Sequence, residues 1–161
     1  MSVTNDMVAA YRRPGKIMER QLASGAGEER ALIFLMASCV VFFIAQLPVV
    51  SRNAHLNQTE MGPELGANVL AWLFIAPLAM YVLAAILRIA MRVLGCKASW
   101  FSVRLALFWT MLAGAPLILL NGLTEGMIGP GAEQTLVGAL WLASFLWILF
   151  GSLRAVCKAS A

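Results

Sequence analysis

The chain has 161 residues, of which 61% are apolar and 12% are charged, and its formal net charge is +4. Soluble domains carry about 25% charged residues, so this composition indicates a membrane protein rather than a soluble domain. A positive charge in a soluble chain would suggest nucleic acid, but here we expect the basic residues to line a membrane face, and we exclude nucleic acid as a partner.

Residues 1–30 form a polar amino-terminal segment that we expect to be cytoplasmic. Within it, the pattern predicts a short helix from about Pro14 to Ala23, because proline is tolerated in a first helical turn and Ser24 and Gly25 follow its end. Two interpretations remain open: an amphipathic helix that contacts the membrane surface or a partner, and an ordinary lead-in to the first span. A cleavable signal peptide is not expected, since a partly acidic segment precedes the first apolar stretch.

Four apolar stretches follow, each near the length of about 20 residues that crosses a hydrocarbon core. They lie at about 31–50, 67–87, 103–123 and 136–153. The sequence therefore predicts an all-α, polytopic transmembrane helical bundle with four spanning helices, followed by a cytoplasmic tail at 154–161. Short connections favour a single domain.

The basic residues alternate between the two sides of the predicted bundle. Eleven of the twelve fall on one side: Arg12, Arg13, Lys16, Arg20, Arg30, Arg88, Arg92, Lys97, Arg104, Arg154 and Lys158. Only Arg52 lies on the other side, so the positive-inside rule predicts that both termini are cytoplasmic. On this topology Cys96 and Cys157 face the reducing side, and with Cys39 they predict neither a disulfide framework nor a metal site.

The densest basic cluster is Arg88, Arg92, Lys97 and Arg104, around the predicted cytoplasmic loop. These four residues are candidate contacts for anionic lipid or for a protein partner, because cations at helix ends reach the headgroups. The alternative is that they only determine topology.

The opposite face offers a weak set of polar residues. We expect residues 51–66 to form its main connection, with a turn at Gly62-Pro63. A membrane enzyme would need groups such as His55, Glu60, Glu64, Glu125 and Glu133 to converge there. Because His55 has no second strong ligand nearby, we assign no metal site, no cofactor and no catalytic residue.

Two prolines occur in similar contexts, Ala76-Pro77-Leu78 and Ala115-Pro116-Leu117, in spans that run in opposite directions. Paired interrupted spans are a feature of transporter binding sites, so a small transporter or channel subunit that uses Pro77, Pro116 and Asn121 is the alternative function. Against it, neither proline is accompanied by an ionisable residue in the apolar stretch. Small residues in the spans predict helix contacts, and oligomerisation remains open.

Four patches carry a resemblance to a known family. They are Glu29-Arg30-Ala31-Leu32, Pro77-Leu78-Ala79-Met80-Tyr81-Val82-Leu83-Ala84, Arg104-Leu105-Ala106-Leu107-Phe108-Trp109 and Pro116-Leu117-Ile118-Leu119-Leu120-Asn121-Gly122. With them the chain resembles short bacterial members of the Yip1 family of membrane proteins. The resemblance implies a polytopic helical protein of the bacterial inner membrane with a cytoplasmic amino terminus, related to eukaryotic proteins of vesicle traffic that associate with small GTPases.

The chain departs from that family in two respects. Eukaryotic members typically have five spans and an Asp-Leu-Tyr-Gly-Pro type motif, whereas this chain has four predicted spans and no such peptide before the first. GTPase binding is therefore not assigned to any residue. The function that we expect is that of a non-enzymatic membrane protein that organises lipids or membrane partners.

Overall fold

The computed structural model describes residues 3–25 and 27–160, and helices make up most of this range. In chain order they are α1 (Val3–Arg12), α2 (Pro14–Ala23), α3 (Glu28–Asn57), α4 (Met61–Val93), α5 (Trp100–Ala113), α6 (Ala115–Met127) and α7 (Ala132–Ala159). No strand forms in the described range, so the predicted all-α class is confirmed.

Three of these helices, α3, α4 and α7, are each long and apolar enough to cross a membrane. The α5–α6 pair passes the same test although it is bent by 43°, which gives up to four crossings. The helices continue beyond the predicted spans because hydropathy marks only the part that suits hydrocarbon, whereas backbone hydrogen bonding extends into the polar flanks. Most of the predicted tail at 154–161, for example, belongs to α7.

The connection between the first two spans is shorter than the sequence predicts. α3 ends at Asn57, Gln58 adopts a left-handed φ of 52°, and α4 begins at Met61. The predicted turn at Gly62-Pro63 is therefore wrong. Pro63 lies in the first turn of α4, where a missing N–H breaks no helical hydrogen bond.

The centre of the bundle is α5, in which every residue from Leu105 to Ala113 is buried. It packs against α3, α4, α7 and α1. Aromatic pairs hold two of these contacts, Phe34 with Trp109 and Tyr81 with Phe108, each with ring centroids 5.1 Å apart. α4 lies at the periphery, since only 6% of its most apolar window is buried.

The two short amino-terminal helices fold back on each other. Pro14 is the first residue of α2 and Ala23 the last, so the predicted bounds of this helix are confirmed. An ion pair joins Asp6 of α1 to Arg20 of α2, and both residues are seven positions from Arg13 at the turn. The segment is therefore a helical hairpin, of which the sequence predicted one arm.

The hairpin packs on the bundle through one face. Ile17 and Met18 are buried, and α2 packs extensively against α7. The two helices lie close together at Gly151 of α7, where a Cβ would overlap the ring of Pro14. A glycine at this position thus lets the tip of the hairpin sit against the last span.

The third span breaks at Gly114 because Pro116 has no N–H to continue the helical ladder. The Leu117 amide donates to the Gly114 oxygen at 3.2 Å. The Ala113 carbonyl instead accepts from the Tyr11 hydroxyl of α1 at 2.9 Å. Burial raises the pKa of the Tyr11 phenol, so this hydroxyl is protonated and able to donate at neutral pH. The hairpin therefore supplies a hydrogen bond at the break.

Pro77 is accommodated in another way. α4 is continuous through it, and a π-helical turn at Ala71–Ile75 ends two residues before the proline. Local widening of this kind is one way in which transmembrane helices satisfy backbone groups near a proline. The inverted symmetry suggested by the contexts of Pro77 and Pro116 is therefore not reproduced in the backbone.

Replacing Tyr11 with phenylalanine tests the docking of the hairpin. We expect Tyr11→Phe to destabilise the protein by about 1 kcal/mol, because the Ala113 carbonyl loses its donor. Limited trypsin digestion should then cleave faster after Arg12 and Lys16, whereas Pro14 protects the bond after Arg13. Tyr81→Phe is the matched control, since the Tyr81 hydroxyl makes no hydrogen bond to the described residues and its ring would be retained. Equal digestion rates for both variants would contradict the assigned role of Tyr11.

Candidate anionic-ligand site

The basic face is shaped by the way α4 ends. Gly95 adopts a φ of +84°, its amide donates to the Arg92 carbonyl at 3.0 Å, and the Cys96 amide donates to the Met91 carbonyl at 2.9 Å. This pair of hydrogen bonds is a Schellman motif, which needs a residue in the left-handed region and so favours glycine. The motif turns the chain back so that Cys96 and Lys97 follow closely on the last turns of α4.

The next helix begins with a cap. Ser99 accepts a hydrogen bond from the Ser102 amide at 3.0 Å and is the N-cap of α5. Ser at this position satisfies one of the free amides of a helix start. Both ends of the 94–99 connection are therefore determined by local hydrogen bonds, which gives the basic cluster a defined geometry.

Arg88, Arg92 and Lys97 line one surface pocket of about 410 Å³, together with Gly95 and Cys96. Arg88 lies over the ring of Trp100, with its Cζ 5.6 Å from the ring centroid. Its Nε and Nη1 atoms are buried and have no hydrogen-bond partner among the described residues. Buried donors of a charged group are costly when unpaired, so this guanidinium is suited to an anionic acceptor.

Arg104 does not belong to this pocket. Its Nη2 atom contacts a carboxylate oxygen of Glu28 at 2.5 Å, and its Cζ lies 5.8 Å from the ring centroid of Tyr81. Of the four residues predicted as candidate contacts for anionic lipid or a partner, Arg104 therefore lies outside the pocket and is paired with an acid. Arg104 and Glu28 are 76 positions apart in the sequence. The sequence held one indication of this ion pair, since both residues lie near the start of predicted spans on the same face of the bundle.

Cys96 is bonded to Cys157, with Cα atoms 5.5 Å apart, and the bond ties the basic connection to the last turn of α7. The expectation that the cysteines form no disulfide is therefore wrong for this pair, whereas Cys39 is a buried free thiol. A second surface pocket, of about 460 Å³, opens beside the bond and also includes Lys97 and Ser160. The disulfide thus forms one wall of the basic region and is open to the surface.

The polar residues of the opposite face are arranged in separate pairs. Asn53 donates to Glu64 at 3.3 Å, and Gln134 donates to Glu125 at 3.2 Å. His55 is exposed at the end of α3. Among residues 3–25 and 27–160, no three His, Cys, Asp or Glu side chains are grouped in a way that could hold a metal ion.

Arg52, the single basic residue predicted on that face, has a structural contact. Its Nη1 atom donates to the Met127 carbonyl at 3.2 Å, near the end of α6. Gly129, with a φ of +104°, lies so close that a Cβ there would be 2.6 Å from Nη2 of Arg52. A cation at the carboxyl end of a helix is favourable, so Arg52 caps α6.

Comparison with known proteins adds no relative. No protein-family model, no curated protein and no solved structure matches the chain. The resemblance to the Yip1 family stays a prediction.

Proposed function

We propose that the chain is a non-enzymatic integral membrane protein of the bacterial inner membrane, with both termini in the cytoplasm, which organises anionic lipid at its basic face. The observation that carries the proposal is the Arg88 guanidinium, with two buried nitrogen atoms that have no partner among the described residues. Arg92 and Lys97 line the same pocket. A lipid phosphate in this pocket would accept hydrogen bonds from Arg92 and Lys97, and a small rotation of the Arg88 side chain would expose its unpaired donors to the same phosphate. The Yip1-like patches are consistent with this class of protein.

The surroundings of the pocket favour a lipid over a soluble anion. Val93 and Leu94 are 82% and 84% exposed, and Trp100 is 54% exposed beside Arg88. Large apolar side chains next to cations at the end of a spanning helix are typical of the boundary between acyl chains and headgroups. A phospholipid would cover these side chains, whereas a free phosphate ion would leave them in water.

Arg88→Gln tests the site. We expect it to lower the affinity for phosphatidylglycerol in nanodiscs by about fivefold, because a cation near the membrane surface contributes about 1 kcal/mol. Lys158→Gln is the matched control, since Lys158 is exposed near the end of α7 and lines neither of the two pockets at this face. Native mass spectrometry of retained lipids gives the readout. Equal retention by the two variants, or retention of phosphatidylcholine equal to that of phosphatidylglycerol, would refute the proposal.

One observation favours the alternative function, a small transporter or channel subunit. The third span is broken, and beyond the break the Oδ1 atom of Asn121 is buried without a hydrogen-bond partner among the described residues. A Cβ at Gly138 of α7 would lie 3.4 Å from that oxygen. Unsatisfied polar groups at a helix break are a feature of transporter sites. Flux of a solute into proteoliposomes that is lost in Asn121→Leu would support this function.

A further inference from the structure

The amino-terminal hairpin contains a groove that the proposal above does not use. The groove has a volume of about 690 Å³ and lies between α1 and α2. Its lining includes the cations Arg12, Arg13, Lys16 and Arg20 and the apolar side chains of Val8 and Ile17. Apolar side chains therefore lie beside four cations in one concave surface.

The charges of this groove are unbalanced. Asp6 forms an ion pair with Arg20, and Glu19 is exposed but does not line the groove. Arg12, Arg13 and Lys16 form no ion pair with the described residues and are all exposed. Three cations within five positions of the chain thus converge on the turn of the hairpin. Such a site favours an anion with several acceptor oxygens, such as a phosphate.

An apolar slot adjoins the tip of the hairpin. Pro14 forms it together with Trp147, Phe150, Gly151 and Arg154 of α7, and its volume is about 380 Å³. Trp147 and Phe150 are each 63% exposed although they lie in a helix that is apolar enough to span a membrane. Side chains in this position face lipid in a bilayer. Because Pro14 follows Arg13 directly, the slot and the cationic groove meet at the turn.

We propose that the hairpin binds one anionic phospholipid, with its phosphate on Arg12, Arg13 and Lys16 and an acyl chain in the slot formed by Pro14, Trp147 and Phe150. The occupant follows from two complementary features of the site. The cations match a phosphate, and the adjoining apolar surface belongs to a spanning helix. A soluble phosphate would fill only the cationic groove, and an acyl chain alone would fill only the apolar slot. Basic sites between helices near the cytoplasmic surface are suited to anionic lipid headgroups.

The proposal does not depend on the Arg88 pocket, so the two can fail separately. In the full chain reconstituted in nanodiscs, the triple variant Arg12→Gln, Arg13→Gln, Lys16→Gln should lower phosphatidylglycerol affinity at this site by about tenfold or more. The matched comparison is Arg88→Gln in the same discs. If the sites are independent, combining the triple variant with Arg88→Gln should lose more lipid than either alone. A triple variant that retains as much lipid as the native chain would overturn the proposal.

A charge-preserving variant separates binding from folding. Arg12→Lys, Arg13→Lys should retain most of the phosphatidylglycerol, because the cations remain while the guanidinium shape is lost. If this variant loses the lipid as fully as the triple variant does, charge does not hold the lipid and the proposal fails.

Two experiments test whether the slot binds an acyl chain: the variant Phe150→Ala and competition by ligands that lack an acyl chain. Phe150→Ala should weaken phosphatidylglycerol binding by several-fold and leave binding of inorganic phosphate unchanged. Glycerol phosphate or inorganic phosphate that competes as well as the whole lipid would show a soluble-anion site and overturn the proposal. Displacement of the lipid by an acidic peptide at equal concentration would identify a protein-binding groove instead.

Discussion

Gly122→Ala is expected to disrupt the packing of the third span on the first, although it adds a single methyl group. A Cβ at Gly122 would overlap the carbonyl oxygen of Ala45 in α3, and one at Gly126 would overlap Pro48. Residues four positions apart share one helix face, so these glycines form a small-xxx-small contact that lets α6 lie close to α3. Because the clash is with backbone, α6 must move away as a whole. We expect a loss of about 3 kcal/mol, at the upper end of overpacking effects.

Gly66→Ala provides the matched control for this variant. Gly66 also lies in a helix, α4, but a Cβ there would meet nothing within 4 Å. The added methyl should therefore be neutral, or stabilise by up to about 1 kcal/mol through helix propensity. The thermal midpoint of each variant, measured in the same detergent by size-exclusion chromatography of heated samples, gives the comparison. If Gly122→Ala were as stable as Gly66→Ala, the close approach of α6 to α3 would be refuted.

The second large effect is expected when the Cys96–Cys157 disulfide is reduced. In protein that is denatured without reductant, a maleimide of high mass should attach to one cysteine, Cys39, and after reduction it should attach to three. Reduction should also lower the free energy of unfolding by about 2–4 kcal/mol, because the bond closes a long loop in the unfolded chain. Its two cysteines are 61 positions apart. Three adducts without reductant would show that the bond is absent.

Cysteine variants provide the control for the effect of reduction on stability. The double variant Cys96→Ser, Cys157→Ser should be insensitive to reductant, whereas Cys39→Ala should remain sensitive because it retains the bond. A native chain whose thermal midpoint is the same with and without reductant would contradict a stabilising role.

The Cys96–Cys157 disulfide and the distribution of basic residues make opposite predictions about the side of the membrane on which these cysteines lie. The positive-inside rule places Cys96 and Cys157 in the cytoplasm, where thiols are kept reduced, whereas persistent disulfides occur in oxidising compartments. With eleven of the twelve basic residues on the side that is predicted to be cytoplasmic, we expect the charges to determine orientation. An impermeant maleimide should then reach reduced Cys157 only in inside-out vesicles. Labelling from the outside in intact cells would reverse the assigned topology.

The sequence predicted the parts of the fold that depend on local properties. Three of the four apolar stretches lie in single helices that are long enough to span a membrane, and the third stretch lies in a bent pair of helices. Pro14 marks the start of α2 in the sequence and in the structure. The limits of the helices were less accurate, since polar flanks also form helix. The turn at Gly62-Pro63 was misplaced because a proline suits both a turn and a first helical turn.

Contacts between distant residues could not be read from the sequence. Arg104 and Glu28, and likewise Cys96 and Cys157, are brought together by the packing of separate helices. Of the predicted basic cluster, Arg88, Arg92 and Lys97 share a pocket because α4 and a short connection place them there. Their proximity is therefore largely local, which is why that part of the site was accessible to prediction. The docking of the hairpin on the bundle could not be predicted in this way, since its hydrogen-bond partners lie more than 100 positions away in the sequence.

This docking also sets the order in which the protein is assembled. The hairpin is synthesised first, but its contacts, Ala113, Trp147 and Gly151, are in the last third of the chain. The 128 positions from Ala23 to Gly151 take roughly 6 to 26 seconds to synthesise at rates of about 5–20 residues per second. During that time its apolar face, with Ile17 and Met18, has no partner within the chain. The hairpin therefore precedes its docking surface in the sequence and can take its place only after α7 has been made.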